Sequence, residues 1–329
     1  MHTRCYSLTG IMLLLLTAGC TKEFNIELDK TQPLFVIEGR ISNLTGPYYV
    51  RITKSTNSLG LGGGPYNDSA EAVTGALVTI SDDSGITDTL IPANSYNRYR
   101  YFYFYKNGKV DSIKERLPPY YSDKYRGDRG YYETTKITGR PGHTYHLLVR
   151  TGNEEFHASA YMPNAPEIDS AALKEATINA KGDKGLLPFV WFKEPQNEKN
   201  YYLLMYNPIT DYPYDNSFNR FIPSGVYPFY VVDDALLPPY INGMAVQMMV
   251  NGHDPYSNNY PYIIYNDPVQ VRLSSLTKEA YNFFKALGRQ LEDDGNAYRP
   301  APSSPPGNIS GNALGLFWAT QISHKLILR

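Results

Sequence analysis

Short runs in which apolar and polar residues alternate recur through the chain from Pro33 onward, and they limit the possible fold more than any other feature. Residues 48–53 alternate cleanly enough to have one buried face, and residues 75–81 form another such run. A period of two is typical of β-strands, in which successive side chains point to opposite faces. Turn residues separate the runs, as at 43–47 and 82–85. The pattern predicts a chain built mainly from strands.

The composition favours the same fold class. The chain has 30 tyrosines, 24 prolines and 26 glycines, and aromatic residues favour strands whereas proline and glycine favour turns. Further strands are predicted at 243–250 and 269–273. A helix is predicted over 278–291, with Thr277 as its N-cap and Gly295 just beyond its end. Its apolar face consists of Ala280, Phe284, Leu287 and Leu291.

Two closely spaced prolines predict a domain boundary. Pro163 and Pro166 follow a predicted strand directly, and such a break marks an exposed joint. A chain of 329 residues is long enough for two domains. The predicted domains are a first one over 33–162 and a second, β-rich one over 167–329 that carries the helix.

Charge and cysteine content exclude several classes of protein. Lysine and arginine number 31 and aspartate and glutamate 32, so no net field draws the chain toward nucleic acid. The two cysteines are Cys5 and Cys20. Cys5 lies in the leader described in the next paragraph and is lost with it, whereas Cys20 is the expected site of lipidation. The mature protein therefore has no intramolecular disulfide, and burial of apolar side chains must stabilise it.

The N-terminus resembles the processing signal of bacterial lipoproteins. Arg4 supplies a positive charge, residues 10–16 form an apolar segment too short to span a bilayer, and Ala18 and Gly19 are small. Cleavage after about nineteen residues leaves Cys20 as the new N-terminus, whose sulfur accepts a lipid. We expect a signal peptide over 1–19, lipidation of Cys20 and a polar tether over 20–32. The expected location is the outer membrane, with the periplasmic or cell-surface face left open.

Three segments of the first half carry a resemblance in fold. Residues 36–39, 75–80 and 142–149 occur in an order that resembles the carboxypeptidase-regulatory or transthyretin-like immunoglobulin-type sandwich. The resemblance implies a mainly β fold, with an N-terminal immunoglobulin-like (transthyretin-like) β-sandwich followed by a second β-rich domain with one amphipathic helix. It implies no activity, because such sandwiches serve many functions.

The whole mature chain resembles one family. Cys20, the Asn-Tyr-Tyr strand at 200–202, the Ser-Leu-Thr-Lys-Glu-Ala-Tyr segment at 275–281 and the Gly-Leu-Phe-Trp-Ala segment at 315–319 are similar to the Bacteroidota-type lipoprotein family known as domain of unknown function 4249. The resemblance implies an outer-membrane lipoprotein, often encoded beside TonB-dependent receptors. It supplies no catalytic residues.

Motifs that suggest catalysis or cofactor binding have structural explanations. Ser275 and Lys278 match the Ser-x-x-Lys of penicillin-binding enzymes but lack its companion motifs, so helix capping explains them better. His143 and His146 lie three apart on a predicted strand and point to opposite faces, which disfavours a metal site. The glycines at 60–64 lack the Lys-Ser/Thr ending of a phosphate loop. We expect no cofactor, no metal and no enzymatic activity.

Paired carboxylates keep a second class of function open. The aspartate pairs at 82–83, 233–234 and 293–294 lie in turns or at the helix end, where solvated side chains are expected. A glycosidase-like hydrolase of the cell envelope needs two carboxylates several ångströms apart, and spacing in sequence does not show that distance. A purely structural or adhesive surface protein is the third alternative.

Tyrosines in the long loops of the second half are the candidate contact residues. Loops of this length inside a compact domain are uncommon unless they bind something, and tyrosine rings suit both sugars and protein interfaces. The expected partners are a TonB-dependent transporter and a carbohydrate or peptide ligand, while packing of the rings inside the domain is the structural alternative. The five candidates are Tyr212, Tyr214, Tyr256, Tyr260 and Tyr262.

Overall fold

The computed structural model describes residues 32–55, 70–93, 98–106, 108–118, 129–177, 184–208, 229–246, 268–292 and 305–328. Within these ranges the chain is mainly β with a single α-helix, which confirms the predicted fold class. Residues Pro33–Arg329 form one compact unit.

Nineteen strands lie in the described ranges. In chain order they are β1 (Phe35–Ser42), β2 (Tyr49–Lys54), β3 (Glu71–Ala72), β4 (Leu77–Asp82), β5 (Thr87–Thr89), β6 (Ile91–Pro92), β7 (Tyr99–Lys106), β8 (Lys109–Arg116), β9 (Tyr131–Glu133), β10 (Thr144–Thr151), β11 (Glu154–Tyr161), β12 (Ile168–Thr177), β13 (Lys184–Lys193), β14 (Tyr201–Pro208), β15 (Phe229–Asp233), β16 (Tyr240–Ala245), β17 (Val269–Leu276), β18 (Ala313–Thr320) and β19 (Ile322–Ile327). The helix α1 is Lys278–Glu292, and a 3-10 turn covers Asp234–Leu236.

The first half of the chain folds as two facing sheets. One sheet has the order β18-β1-β2-β9-β6, with β3 beside β2, and the other has the order β11-β10-β4-β5. The predicted alternation holds in β4, where Val78 and Ile80 are buried and Leu77 is exposed. The core between the two sheets includes Ile37, Ile41, Val50, Ile52, Val78, Ile80, Tyr145, Leu147, Val149 and Phe317. The immunoglobulin-type assignment of this sandwich stays a prediction.

The second half forms another pair of sheets. Their strand orders are β12-β13-β16 and β15-β14-β17-β19. The core that they share includes Val190, Phe192, Tyr202, Leu204, Tyr206, Val269, Val271 and Leu273. All eight residues of β17 are buried. Val269, Val271 and Leu273 lie in this core, Leu276 packs with α1 and β18 in a second cluster, and Arg272 bonds to Glu115 of β8.

A strand from the end of the chain joins the two halves. β18 pairs in parallel with β1 over all eight residues of Phe35–Ser42, and β19 follows directly and pairs with β17. Gly39 of β1 makes room for this strand, since a Cβ atom there would lie 2.9 Å from the Phe317 ring. The predicted joint between residues 162 and 167 stays a prediction, although the first sheet contains a strand from the second half.

The helix packs at the same junction. Ala280, Phe283 and Phe284 are buried, and Phe284 meets Trp318 of β18 edge-on with the ring centroids 5.0 Å apart. The N-cap is confirmed, because the Ala280 amide donates to Thr277 Oγ1 at 3.3 Å. The side chain of Leu291, and Gly295, lie outside the described residues. In the described part of the chain, no helix has the length and apolar character needed to cross a membrane.

Candidate functional site

All of the site residues predicted from the sequence lie outside the described residues. They are Cys20, Tyr212, Tyr214, Tyr256, Tyr260 and Tyr262. Their roles stay predictions, and the candidate site below rests on other side chains.

The hairpin β7–β8 has an exposed aromatic face. Tyr101, Tyr103 and Tyr105 alternate along β7 and therefore share one face, and they are 51%, 72% and 79% exposed. The rings of Tyr101 and Tyr103 are nearly parallel, with centroids 6.3 Å apart. Val110 pairs with Tyr105 and is also exposed. Lys114 pairs with Tyr101 and places its ammonium 4.9 Å from the centroid of the Tyr99 ring.

The opposite face of the hairpin is fixed by a buried ionic cluster. Glu115 of β8 accepts hydrogen bonds from Nη1 and Nη2 of Arg272 at 3.0 and 2.9 Å. It also accepts one from Nη1 of Arg100 at 3.2 Å. Arg100 Nε donates to the Thr45 carbonyl at 2.7 Å, and Arg272 Nε donates to Gln270 Oε1 at 2.8 Å. The cluster thus ties the hairpin both to the loop after β1 and to β17.

Electrostatics favour the ionised form of this cluster. Burial alone would raise the pKa of Glu115, but the guanidiniums of Arg272 and Arg100 outweigh it and lower this pKa to about 2. Phe102 packs beside the cluster, with its ring centroid 5.3 Å from the Arg272 guanidinium carbon and 5.0 Å from the His324 ring centroid. Burial and the Arg272 charge lower the pKa of His324. The root of the hairpin, defined as Arg100, Phe102 and Glu115, is therefore held to β17 and β19 by charged and aromatic contacts.

A fixed root and an exposed aromatic face make the hairpin suitable for binding. Tyrosine presents a large apolar ring and a polar hydroxyl, and few of its torsions are lost on binding. The sequence alone predicts that residues 99–105 are aromatic on both faces. The alternation within this run could have distinguished the two faces. Tyrosine occupies every odd position, whereas Arg100, Phe102 and Phe104 occupy the even positions and face the protein.

Ser275 connects segments of the fold. Its hydroxyl donates to the Pro163 carbonyl at 2.7 Å and accepts from the Gln321 amide at 3.0 Å. The side chain is buried, so the Ser-x-x-Lys motif has a structural explanation. Thr277 provides the helix cap, whereas Ser275 ties β17 to the segments before β12 and β19.

The histidines considered as metal ligands have separate partners. His143 Nδ1 lies 2.6 Å from Asp83 Oδ1, and His146 Nδ1 lies 2.8 Å from Ser159 Oγ. Across the described ranges, no three His, Cys, Asp or Glu side chains are placed to hold a metal ion together.

The aspartate pairs organise turns. Asp82 is buried, so the prediction that it is solvated is wrong: it accepts hydrogen bonds from the amides of Ser84 and Ile86 at 3.0 and 2.9 Å. Burial would raise the pKa of Asp82, but these hydrogen bonds and the Ser84 hydroxyl lower it. Asp233 caps the 3-10 turn, and it and Asp234 form ion pairs with Lys199. The pair at 293–294 lies outside the described residues.

Glu194 is a buried carboxyl group with incomplete hydrogen bonding. It is 1% exposed, and its Oε1 accepts from the Tyr202 hydroxyl at 2.9 Å and from Asn200 Nδ2 at 3.3 Å. Its Oε2 is buried and has no hydrogen-bond partner among the described residues. Burial raises the pKa of Glu194. The carboxyl group is enclosed in this conformation.

We expect the stability of Glu194→Gln relative to the wild type to increase as the pH rises. A carboxyl whose pKa is raised by folding contributes stability below its unfolded pKa, and that contribution is lost as the pH rises through the folded pKa. Glutamine keeps the acceptor for Tyr202 and Asn200 and carries no charge, but its amide nitrogen replaces the unpartnered Oε2, so the prediction concerns the change of the difference with pH and not its absolute value. Thermal unfolding near pH 5 and pH 8 measures it. Glu198→Gln, an exposed change four residues away, is the control, and a difference that stays constant or falls between pH 5 and pH 8 would contradict the expectation.

Comparison with known sequences places the chain in a family. A search among curated proteins gave no match. The profile of the family described as Domain of unknown function (DUF4249) matches residues 21–325, which is nearly the whole chain after the predicted leader. The chain therefore belongs to the DUF4249 family.

Proposed function

We propose that the protein is an outer-membrane lipoprotein of the Bacteroidota type, anchored through Cys20, that acts without catalysis as an accessory or ligand-binding component of a TonB-dependent nutrient uptake system. The predicted leader, which ends just before Cys20, supports the lipid anchor. The family membership supports the location in the outer membrane. The observation that carries the binding role is the exposed tyrosine face of the hairpin β7–β8, formed by Tyr101, Tyr103 and Tyr105.

The hairpin face suits a protein partner for two reasons. Its three tyrosines expose adjacent ring surfaces, and interface hot spots are enriched in tyrosine. Its root is fixed by Glu115 and the two arginines, so little conformational entropy is lost when a partner binds. The transporter is the proposed partner. The loop tyrosines Tyr212, Tyr214, Tyr256, Tyr260 and Tyr262 remain candidates for the same contact.

We expect alanine at Tyr101, Tyr103 or Tyr105 to weaken binding to the transporter. A minority of interface residues carry most of the binding energy, so one of the three should cost about 1–2 kcal/mol, or roughly 5- to 30-fold in affinity. The measurement is co-purification from detergent-solubilised membranes, followed by titration of the purified pair. Tyr161→Ala is the matched control, because Tyr161 is a 45% exposed tyrosine on another sheet.

The outcomes separate the proposed function from its alternatives. Unchanged co-purification in all three hairpin variants, with loss in the variants of the loop tyrosines, would move the contact to those loops. Unchanged binding and nutrient uptake in both sets would reject the interface. Glycan cleavage by the purified protein would favour the cell-envelope hydrolase.

A further inference from the structure

The three-stranded sheet β12–β13–β16 carries an aromatic residue on its outer face. Val190 and Phe192 of β13 are fully buried in the core of the second half. Side chains alternate along a strand, so Trp191 between them lies on the opposite face, where it is half-buried. Ser170 and Asn242 pair with Trp191 from the two neighbouring strands and lie on the same face.

Both neighbouring strands have an irregularity beside this tryptophan. In β12 the register shifts at Asp169, which lies between the residues that pair with Phe192 and Trp191. In β16 the register shifts at Gly243, which lies between the residues that pair with Val190 and Trp191. β-bulges redirect side chains and are frequent beside functional sites. The two irregularities lie on either side of Trp191, so the backbone of both neighbouring strands departs from regular pairing next to this residue.

The bulges hold the indole ring in one position. Trp191 Nε1 donates to Asn242 Oδ1 at 2.9 Å. Gly243 has a φ of +83°, and a Cβ atom there would lie 3.0 Å from Cζ2 and 3.2 Å from Cε2 of the indole. Glycine therefore permits both the left-handed backbone and the close contact with the ring. The ring therefore packs against the backbone at Gly243 and is bonded to Asn242.

Polar groups surround the ring. The ammonium of Lys174 lies 4.4 Å from the centroid of the Trp191 ring. The carboxylate of Asp169 faces the hydroxyl of Tyr240, which is 47% exposed. Ser170 and Asn242 are exposed. Hydrogen-bond donors and acceptors are thus both available beside an aromatic surface.

We propose that this face, defined as Trp191 with Asp169, Ser170, Lys174, Tyr240 and Asn242, binds a pyranose unit of a polysaccharide. A pyranose has an apolar face of C–H groups that stacks on an aromatic ring, and hydroxyls around its rim that need donors and acceptors. The proposal rests on the proposed function and deepens it, because it names the ligand class and the site. Lys174 is exposed, so its ammonium can leave the ring for a sugar oxygen.

The chemistry of this face favours a sugar over a peptide. The indole N–H is already bonded to Asn242, so the ring offers a surface for stacking and not a hydrogen bond. The flanking groups provide amide, hydroxyl, carboxylate and ammonium functions, whereas lysine, aspartate and serine are depleted from protein interfaces. A sugar ring satisfies both parts of this arrangement.

The test is titration of the detergent-solubilised full-length protein with soluble xylan, dextran and polygalacturonate. The first two are neutral and the third is acidic, so the comparison also reports whether Lys174 selects an acidic chain. We expect at least one polysaccharide to bind and Trp191→Ala to weaken its binding by roughly tenfold or more. Tyr161→Ala, which changes a 45% exposed tyrosine on another sheet, is the matched control and should bind as the wild type does.

Fluorescence provides a second measurement that a merely structural role would not change. The chain has two tryptophans, and Trp318 is buried, so a sugar at Trp191 should change the emission of Trp191 alone. Asn242→Ala removes the hydrogen bond to the indole N–H but keeps the ring. This variant tests the proposal if Trp191→Ala does not fold. We expect this variant to bind more weakly and to retain a fluorescence response.

Each result decides the proposal separately from the proposed function. Absence of binding to all three polysaccharides, or undiminished binding in both Trp191→Ala and Asn242→Ala, would overturn the sugar site. Loss of transporter co-purification in Tyr101→Ala with intact sugar binding would support both proposals. Failure of transporter co-purification in the wild type would remove the hairpin interface and leave the sugar site in place.

Discussion

Replacing Glu115 with glutamine should lower the free energy of unfolding by about 3–5 kcal/mol, because it leaves two buried guanidiniums without their counter-charge. Glu115 is the carboxylate that both Arg100 and Arg272 contact. Glutamine keeps one acceptor oxygen, but its amide nitrogen faces the guanidiniums as a donor. The expected structural result is release of the hairpin β7–β8 from β17.

Denaturant unfolding and hydrogen exchange would measure these two effects. Asp111→Asn on the same strand is the matched control. Its side chain is exposed and bonds only to the adjacent Ser112 amide among the described contacts, so we expect a change below about 0.5 kcal/mol. Lost amide protection should concentrate in residues 99–116. A stability change in Glu115→Gln as small as that of the control would show that the cluster does not hold the hairpin.

The pH dependence gives the same prediction an independent check. Glu115 has a pKa of about 2 in the folded protein, below its unfolded value of about 4.3. Its contribution is therefore complete above the unfolded pKa and is lost as the pH falls through the folded value. The difference between the wild type and Glu115→Gln should stay constant near pH 7 and shrink between about pH 4 and pH 2. A constant difference down to pH 2 would contradict the ionic explanation.

A triple variant would separate the net value of the cluster from the cost of orphaned charges. Buried ion pairs often contribute little relative to apolar residues of similar volume. Changing Arg100, Glu115 and Arg272 together to methionine or leucine should therefore restore much of the stability that Glu115→Gln loses. If the cluster acts only by fixing the position of the hairpin, the tyrosine face of this variant should bind the transporter as the wild type does.

Sequence patterns predict local elements well in this chain. The predicted helix over 278–291 agrees closely with α1, Lys278–Glu292. Its signals, a cap and a period of 3.6 residues, are both local and can therefore be read from the sequence. The strand predicted over 243–250 starts earlier, because the structure describes β16 as Tyr240–Ala245. Residues 247–250 lie outside the described residues. Gly243, read as the start of the strand, lies inside it at a bulge. A glycine within a strand fits either position until the partner strand is known.

Contacts between distant segments are what the sequence does not show. Glu115 lies in the run Lys-Val-Asp-Ser-Ile-Lys-Glu-Arg, where it has the character of a surface charge. Its burial depends on Arg272, which is 157 residues away. The same holds for the parallel pairing of β1 with β18 and for the Asn242 contact of Trp191. The candidate binding surfaces therefore require the fold, whereas the residue types that form them are visible in the sequence.

Replacing Cys20 with alanine should remove the protein from the membrane fraction. The predicted anchor is a diacylglycerol on this sulfur, and two acyl chains give stable attachment whereas one gives only marginal binding. Radiolabelled fatty acid should label the wild type and not Cys20→Ala. Cys5→Ala is the matched control, because it changes the only other cysteine, which lies in the predicted leader.

Gel mobility distinguishes loss of the lipid from failure to remove the leader. An uncleaved precursor would be larger by about nineteen residues and could stay in the membrane through its apolar segment. Replacing the leader with one that an ordinary signal peptidase removes avoids this, and the Cys20→Ala protein should then be recovered in the soluble fraction. Acyl label or detergent-dependent extraction that persists in this cleaved variant would reject Cys20 as the anchor. Transporter co-purification can then be repeated without the lipid, which tests whether the hairpin face binds by itself or needs the high local concentration that a shared membrane provides.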